Sequence, residues 1–463
     1  MNEKKEGSYG EGDASSNSLD NAIAHDAVFG DITSEGPNYR SVGWLGTSVL
    51  MMKTQIGLGV LSIPSIFDTL GMVPGVVLLC VIGGITTWSD FVVGTFKLRH
   101  PQVYGIDDAG ELMFGRLGRE VLGAAFCLLF TFTSGSAMLS ISIALNALST
   151  HATCTAVFVA VAAVVGFGLS SLRTLGRISG LAWVGITSIV VAVLTVTIAV
   201  SLQDRPAAAP RDAVWESDFK VVNTPTFTQA VGAISSLVFS YAGTPAFFSI
   251  AAEMREPRHY TRALVLCQSV VTVVYVAVGV VVYYYCGSYV SSPALGSAGP
   301  AVKKVAYGLA LPGLIVSAAV MLHLASKQIF VRVLRGSKHL AANTFVHWST
   351  WLGCTFTVTL VAYLIASGIP VFNSLISLIG ALLGTMISFQ PMGCMWLYDN
   401  WGRGRQAPTT RWYLMVAWSC FVVASGTFLT IAGTYSAIVG IIDDYSRSEG
   451  SAAWSCADNS NSS

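Results

Sequence analysis

Charge is what this chain has least of. Only 11% of its 463 residues are Asp, Glu, Lys or Arg, while 53% are hydrophobic. Water-soluble domains carry about 25% charged residues, so an ordinary soluble globule is excluded and a polytopic membrane protein is implied. The charges nearly cancel, to a net +1, and the basic surface that a nucleic-acid partner needs is missing. The nine cysteines form no CxxC pair and no Cys/His ligand spacing, so neither a metal site nor a cofactor is expected. Cys154, Cys286 and Cys456 fall near the expected outer face, where a Cys154–Cys286 bridge is one available pairing and spacing leaves the connectivity open. No nucleophile–base pair stands in any span or loop, so an enzyme is not expected. No signal peptide is expected either, because residues 1–40 are polar, with Lys4, Lys5 and several acids.

What is present is a succession of apolar runs punctuated by charge. Eleven spans are expected at 43–66, 72–96, 120–147, 152–170, 178–202, 227–252, 263–286, 303–329, 345–367, 371–398 and 412–440. Two uncharged stretches, 121–172 and 339–398, are too long for one crossing each and are divided near Ser149-Thr150-His151 and Ser367-Gly368-Ile369-Pro370. With the N-terminus in the cytoplasm, nineteen of the 26 Lys and Arg residues fall on inner segments and six on outer ones. That bias sets the orientation. It gives a disordered cytoplasmic tail at 1–42, a transmembrane domain at 43–442 and an extracellular tail at 443–463.

The one cation left over is Lys53. Counted from Trp44 at about 1.5 Å per residue, it lies roughly 13 Å into a ~30 Å hydrocarbon layer. A lysine at such depth costs about 2.5–3.5 kcal/mol and marks a functional site by default. Snorkelling to the interface is the bland alternative, and the depth disfavours it. Directly after it come Ile56-Gly57-Leu58-Gly59 and then Pro64, poor helix formers in mid-span. The sixth span repeats the pattern with Phe239-Ser240-Tyr241-Ala242-Gly243-Thr244-Pro245. Interrupted helices five spans apart point to an inverted repeat of five helices, with the binding site between the breaks and the eleventh span outside.

Two facing breaks suit a small zwitterion. Freed N–H groups at a half-helix end attract a carboxylate, and freed carbonyls attract an ammonium. Glycine lets a ligand approach the main chain. Tyr241, Phe247 and Phe248 are placed to wall a side-chain pocket, although core packing is the commoner fate of a single aromatic. The hydroxyls of Thr131, Thr133, Ser134, Ser136, Ser140 and Ser142 either line a cavity or, more commonly, bond a carbonyl of their own helix. Glu253 closes the sixth span, where helix-end solvation and a cytoplasmic gate ion pair explain it equally. Asp90 and Lys327 also sit near inner ends, and His323 is best read as a packed, hydrogen-bonded histidine.

The run Lys53-Thr54-Gln55-Ile56-Gly57-Leu58-Gly59-Val60-Leu61-Ser62-Ile63-Pro64, taken with Ser240-Tyr241-Ala242-Gly243, resembles the amino acid/auxin permease family. Within it the chain is similar to fungal neutral amino acid permeases of the Mtr type. The resemblance covers roughly residues 40–442. It implies an all-α polytopic membrane protein with 11 transmembrane helices, a LeuT-type 5+5 inverted repeat plus one extra helix. It also implies that Ile56, Gly57, Leu58 and Gly59 meet the substrate carboxylate, and that Phe239, Ser240, Tyr241 and Ala242 meet its amino group. Ser317 matches the hydroxyl position of the family's sodium site. Many relatives carry asparagine where Lys53 stands, sodium-coupled branches commonly so, and the lysine puts sodium coupling in doubt.

The resulting expectation is a multi-pass plasma-membrane importer of neutral amino acids, working by proton symport. Lys53 and Ser317 are its coupling residues, the breaks with Phe247 its substrate site, and the proton and the lipid bilayer its other partners. An uncoupled facilitator and a nutrient-sensing transceptor are the competing classes; uptake against a gradient separates the first from a symporter.

Overall fold

The computed structural model describes residues 24–26, 30–32, 40–172, 175–206, 209, 215–340, 342–369, 371–447 and 454–460. Most of the expected N-terminal tail therefore lies outside the described residues, as does Pro370 of the expected second division. Within that tail β1 (Ala24–Asp26) pairs antiparallel with β2 (Gly30–Ile32).

The rest of the architecture is helical, because apolar runs in lipid leave backbone groups no partner but each other. In chain order come α1 (Trp44–Gln55), α2 (Gly59–Leu70), α3 (Met72–Arg99), α4 (Ile106–Ser149), α5 (Thr155–Ser170) and α6 (Leu175–Leu202). They are followed by α7 (Phe227–Ser240), α8 (Thr244–Ala252), α9 (Tyr260–Cys286), α10 (Pro300–Leu334) and α11 (Phe345–Gly368). The last segments are α12 (Phe372–Leu378), a π-helical stretch (Ile379–Gly384), α13 (Thr385–Ser388), α14 (Gln390–Gln406) and α15 (Thr410–Arg447).

Among the described residues nine helical segments are long and apolar enough to cross a bilayer. A tenth is made by α1 and α2 together, bent by 45° at their junction. The remaining apolar helix, α5, has 16 residues, below the roughly 20 of a straight crossing. A helix thus stands at the place of every expected span, while length and composition alone carry nine to ten crossings rather than eleven.

Three helix ends lie well beyond expectation, one of them that of α14, which runs on to Gln406 rather than ending near 398. Helix α4 begins at Ile106, not near 120, because the polar segment with Asp107, Asp108 and Arg116 continues the helix through a kink at Gly115 (φ 66°). Helix α15 runs on to Arg447, past the expected start of the tail.

Helix α4 is central and α15 peripheral: 83% of the apolar window of α4 is buried, against 17% for α15. Helix α10 packs along α4 and α6, with α5 and α11 beside them. Helices α1, α2, α3 and α6 pack around α9, α8 lies against α3 and α1, and α7 leans on α2, α15 and the π-helical stretch. Cys154 pairs with Cys456, not with Cys286, which is buried without a disulfide. The reason is a return of the chain: Trp454 N–H donates to Ser367 O (3.0 Å), Thr155 Oγ1 to Ala457 O (2.7 Å) and Asn459 Nδ2 to Ser142 Oγ (3.0 Å). Residues 454–460 are therefore seated on the ends of α4, α5 and α11.

Candidate functional site

Both expected breaks are real, and they touch. Helix α1 stops at Gln55, residues 56–58 form a turn, and α2 restarts at Gly59. Helix α7 stops at Ser240, residues 241–243 form a turn, and α8 restarts at Thr244 with Pro245 in its first turn. A Cβ on Gly59 would lie 2.7 Å from the Ser240 Cα, so the two backbones meet where only glycine fits. Ser240 Oγ donates to Gly59 O (3.3 Å) and to its own helix at Ser236 O (2.9 Å). From α9 the Tyr275 hydroxyl lies 2.8 Å from both Gln55 O and Ser240 O, the last residues of α1 and α7. One hydroxyl therefore serves both broken ends.

Lys53 sits in the last turn of α1 and is fully buried. Its Nζ donates to the carbonyl of Ile56, which the break has released from helical pairing (3.5 Å). No carboxylate pairs with it among the described residues. On the far side of the break is Ser317 of α10: a Cβ on Gly57 would lie 2.8 Å from Ser317 Oγ and 3.7 Å from Lys53 Nζ. The lysine stem is braced by α6, where a Cβ on Gly185 would meet Lys53 Cε at 3.0 Å.

These groups surround a cavity of about 20 Å³. Lys53, Gly57, Leu58, Gly59, Phe239, Ala242 and Ser317 line it, all of them expected site residues. Thr54, Gln55, Phe130, Thr133 and Met321 complete the wall. A space of that size holds about one water molecule, so the site is closed around itself. Ile56 takes part through its carbonyl and Ser240 through its bond to Gly59. Tyr241 and Phe247 are not on the wall. The Tyr241 ring turns to α9, with its hydroxyl 3.2 Å from Thr272 Oγ1 and its ring 5.3 Å from that of Tyr275. Phe247 packs against Gly243 inside the second break. The aromatic surface comes from Phe239 and from Phe130, a residue that no local pattern distinguished within an uncharged run. The hydroxyls of α4 mostly bond their own helix: Thr131, Thr133, Ser134, Ser140 and Ser142 all donate three or four residues back. Only Thr133 among these reaches the cavity, where its lone pairs remain as acceptors.

Away from the cavity, Glu253 at the end of α8 forms a buried ion pair with Lys327 of α10. The same end is sealed by main-chain bonds, Val42 N–H to Glu253 O (3.2 Å) and Arg255 N–H to Val42 O (2.9 Å). At the opposite end of α2 and α7 a cavity of about 280 Å³ is lined by hydroxyls and amides such as Ser65, Thr69, Gln229 and Asn373, by apolar Ile66, Val371 and Val439, and by Asp443. His323 is buried with its Nδ1 3.3 Å from Ser170 O and its ring against Trp351.

The family profile described as transmembrane amino acid transporter protein matches residues 40–439. A transmembrane transporter of Fusarium pseudograminearum is 33% identical over 428 residues, 92% of this chain and 89% of that one. The N amino acid transport system protein of Neurospora crassa is 33% identical over 427 residues, 90% of this chain and 89% of the relative. A Na+-coupled sialic acid symporter in a substrate-bound outward-open state superposes with a TM-score of 0.55 at 11% identity, covering 88% of this chain and 92% of that one. A nucleobase-cation-symport-1 family transporter in a closed conformation superposes at 0.57 and 12% identity, covering 93% and 98%. At these identities the structural likeness is one of fold, the LeuT-like arrangement.

Proposed function

Because this chain belongs to the family of transmembrane amino acid transporter proteins, we propose that it imports neutral amino acids, aromatic or large aliphatic, by proton symport at the plasma membrane. It is a multi-pass membrane protein and a secondary transporter of amino acids; substrate class and coupling are our reading. The chain crosses eleven times, with α5 as a short crossing. The two repeats of five begin at the broken pairs α1/α2 and α7/α8, and α15 stands outside them. The N-terminus is cytoplasmic. The hydroxyl-lined cavity beside α2 and α7 then lies on the outer side, and the Glu253–Lys327 pair closes the inner one.

The substrate carboxylate meets the N–H groups of Gly57 and Leu58 in the turn and of Gly59 at the start of α2, which have no intrahelical acceptor. Its ammonium meets main-chain carbonyls at the end of α7. Phe130, Phe239, Leu58 and Met321 receive the side chain, gaining about 25 cal/mol per Å² removed from water. No Asp or Glu lines the cavity, so a guanidinium would be buried unpaired at a cost of several kcal/mol. Amino-acid entry requires the wall to open and reclose, which is alternating access of one bundle against its scaffold.

The observation that carries the coupling reading is the contact of Lys53 Nζ with Ile56 O, with Ser317 across the break. An ammonium there stands where a metal cation would need those same oxygens, and while charged it repels sodium at short range in a low dielectric. The substrate class is tested by a competition panel against labelled phenylalanine uptake in proteoliposomes. Leucine and methionine are expected to compete strongly, arginine and glutamate weakly. Strong inhibition by arginine or glutamate alone would overturn the assignment.

A further inference from the structure

Behind the substrate site lies a second buried polar cluster, on helices α3, α8 and α9. Its centre is Asp90 of α3, which is fully buried. The Gln268 amide of α9 donates to Asp90 Oδ2 (2.5 Å), and the Tyr260 hydroxyl donates to its main-chain carbonyl (2.9 Å). The second carboxyl oxygen, Oδ1, has no hydrogen-bond partner among the described residues, nor does Gln268 Oε1. The Thr244 hydroxyl faces the same carboxyl but closes no hydrogen bond of ordinary geometry. No lysine, arginine or histidine pairs with Asp90 among the described residues.

A carboxylate buried in a membrane protein without a cation is costly, and the protonated form removes that cost. The groups that face Asp90 leave this choice to it alone. From α9 the titratable neighbours are Tyr260 and Cys267, both buried. From α8 the neighbour is the uncharged Thr244. Helix α14 brings Asp399 to Arg99 and His100 at the far end of α3, and the acid of α8, Glu253, is paired with Lys327.

The cluster is joined to both breaks. Thr244 is the first residue of α8, directly after the turn at 241–243. Gln268 lies two turns before Tyr275 on one face of α9, and Tyr275 holds the ends of α1 and α7. Gln55, the last residue of α1, is also buried, and neither of its amide atoms has a partner among the described residues. A change of charge on Asp90 therefore acts on the start of α8 and on the helix that ties both broken ends.

We propose that Asp90 is the site that carries the co-transported proton, with Gln268 and Thr244 as its positioning residues. The proton binds Oδ1 of the carboxylate from the outer side and leaves it to the inner side, and no other bond changes. This assignment rests on the proton-symport reading above.

The test uses full-length protein in liposomes with tritiated phenylalanine. Wild type is expected to accumulate label on an inward proton gradient. Asp90→Asn, which still accepts from Gln268 and mimics the protonated group, is expected to lose that accumulation. It should keep counterflow exchange within about threefold, with a flattened pH profile. Asp90→Glu, which keeps a titrating oxygen, is expected to accumulate label with a displaced pH profile, and does so even if the asparagine variant fails to fold. Proton-driven accumulation by Asp90→Asn overturns the assignment alone. Loss of counterflow in both variants marks a structural role and also overturns it. A wild type that accumulates nothing on a proton gradient overturns the symport reading with it.

Discussion

At the scale of single residues, three positions around the first break do different work, and substitution separates them. Gly57 faces a hydroxyl, Ser317 Oγ, that can rotate aside, whereas Gly59 faces main chain at Ser240. Gly57→Ala is therefore expected to fold, melt within a few degrees of wild type and transport at least about tenfold worse, since a methyl group stands where the carboxylate must approach. Gly59→Ala is expected to lose folded yield, because backbone cannot give way; thermal melts of the two purified variants check the contrast. Lys53→Asn removes the ammonium and leaves Ile56 O and Ser317 Oγ to a cation. Its uptake is expected to become sensitive to replacement of sodium by choline, and wild-type uptake is not. Much of this was legible in the chain, because a lysine at mid-membrane depth and glycines at a break are costly and must be explained. Phe130 was not legible, since nothing local separates a cavity-lining aromatic from a packed one. Nor was the rotation of Tyr241 toward α9, which depends on Thr272 and Tyr275, residues brought near only by the fold.

At the scale of elements, the closed state is held by ties between helices that must part. The Glu253–Lys327 pair joins α8 to α10 in a fully buried setting. Removing one member takes the counter-charge from the other in a buried setting, so Glu253→Gln is expected to destabilise the closed protein by about 3–5 kcal/mol, and Glu253→Gln with Lys327→Met by less. Thermal melts of the single and double variants measure the difference. A tie of another kind, one that stays closed, is the Cys154–Cys456 disulfide, which fastens the C-terminal segment to the start of α5 across 302 residues of sequence. Cys456→Ser is expected to cost about 2–5 kcal/mol of stability and to make wild type's loss of melting temperature in reductant disappear. Cys286→Ser should leave that response intact. The ion pair was half visible in sequence, as two charges at inner helix ends. The disulfide was not, because spacing cannot choose among distant cysteines and the return of residues 454–460 depends on seats offered by Ser142, Thr155 and Ser367.

At the scale of the whole molecule, two broken helices crossing back to back, with a lysine in one break, form the device from which transport follows. The architecture was readable because each layer of the signal agreed: few charges, apolar runs of spanning length, and Gly and Pro at matching depths in the first and sixth spans. The extents of α4 and α15 were less readable, since a helix can continue past the apolar run that announces it. The central claim is that a proton gradient, not a sodium gradient, drives amino-acid accumulation. Its most direct test is tritiated phenylalanine uptake into proteoliposomes under one imposed gradient at a time, with membrane potential clamped. Accumulation above equilibrium with an acidic exterior and no sodium, and none with inward sodium at equal pH, is the result expected. Accumulation driven by sodium alone would contradict it.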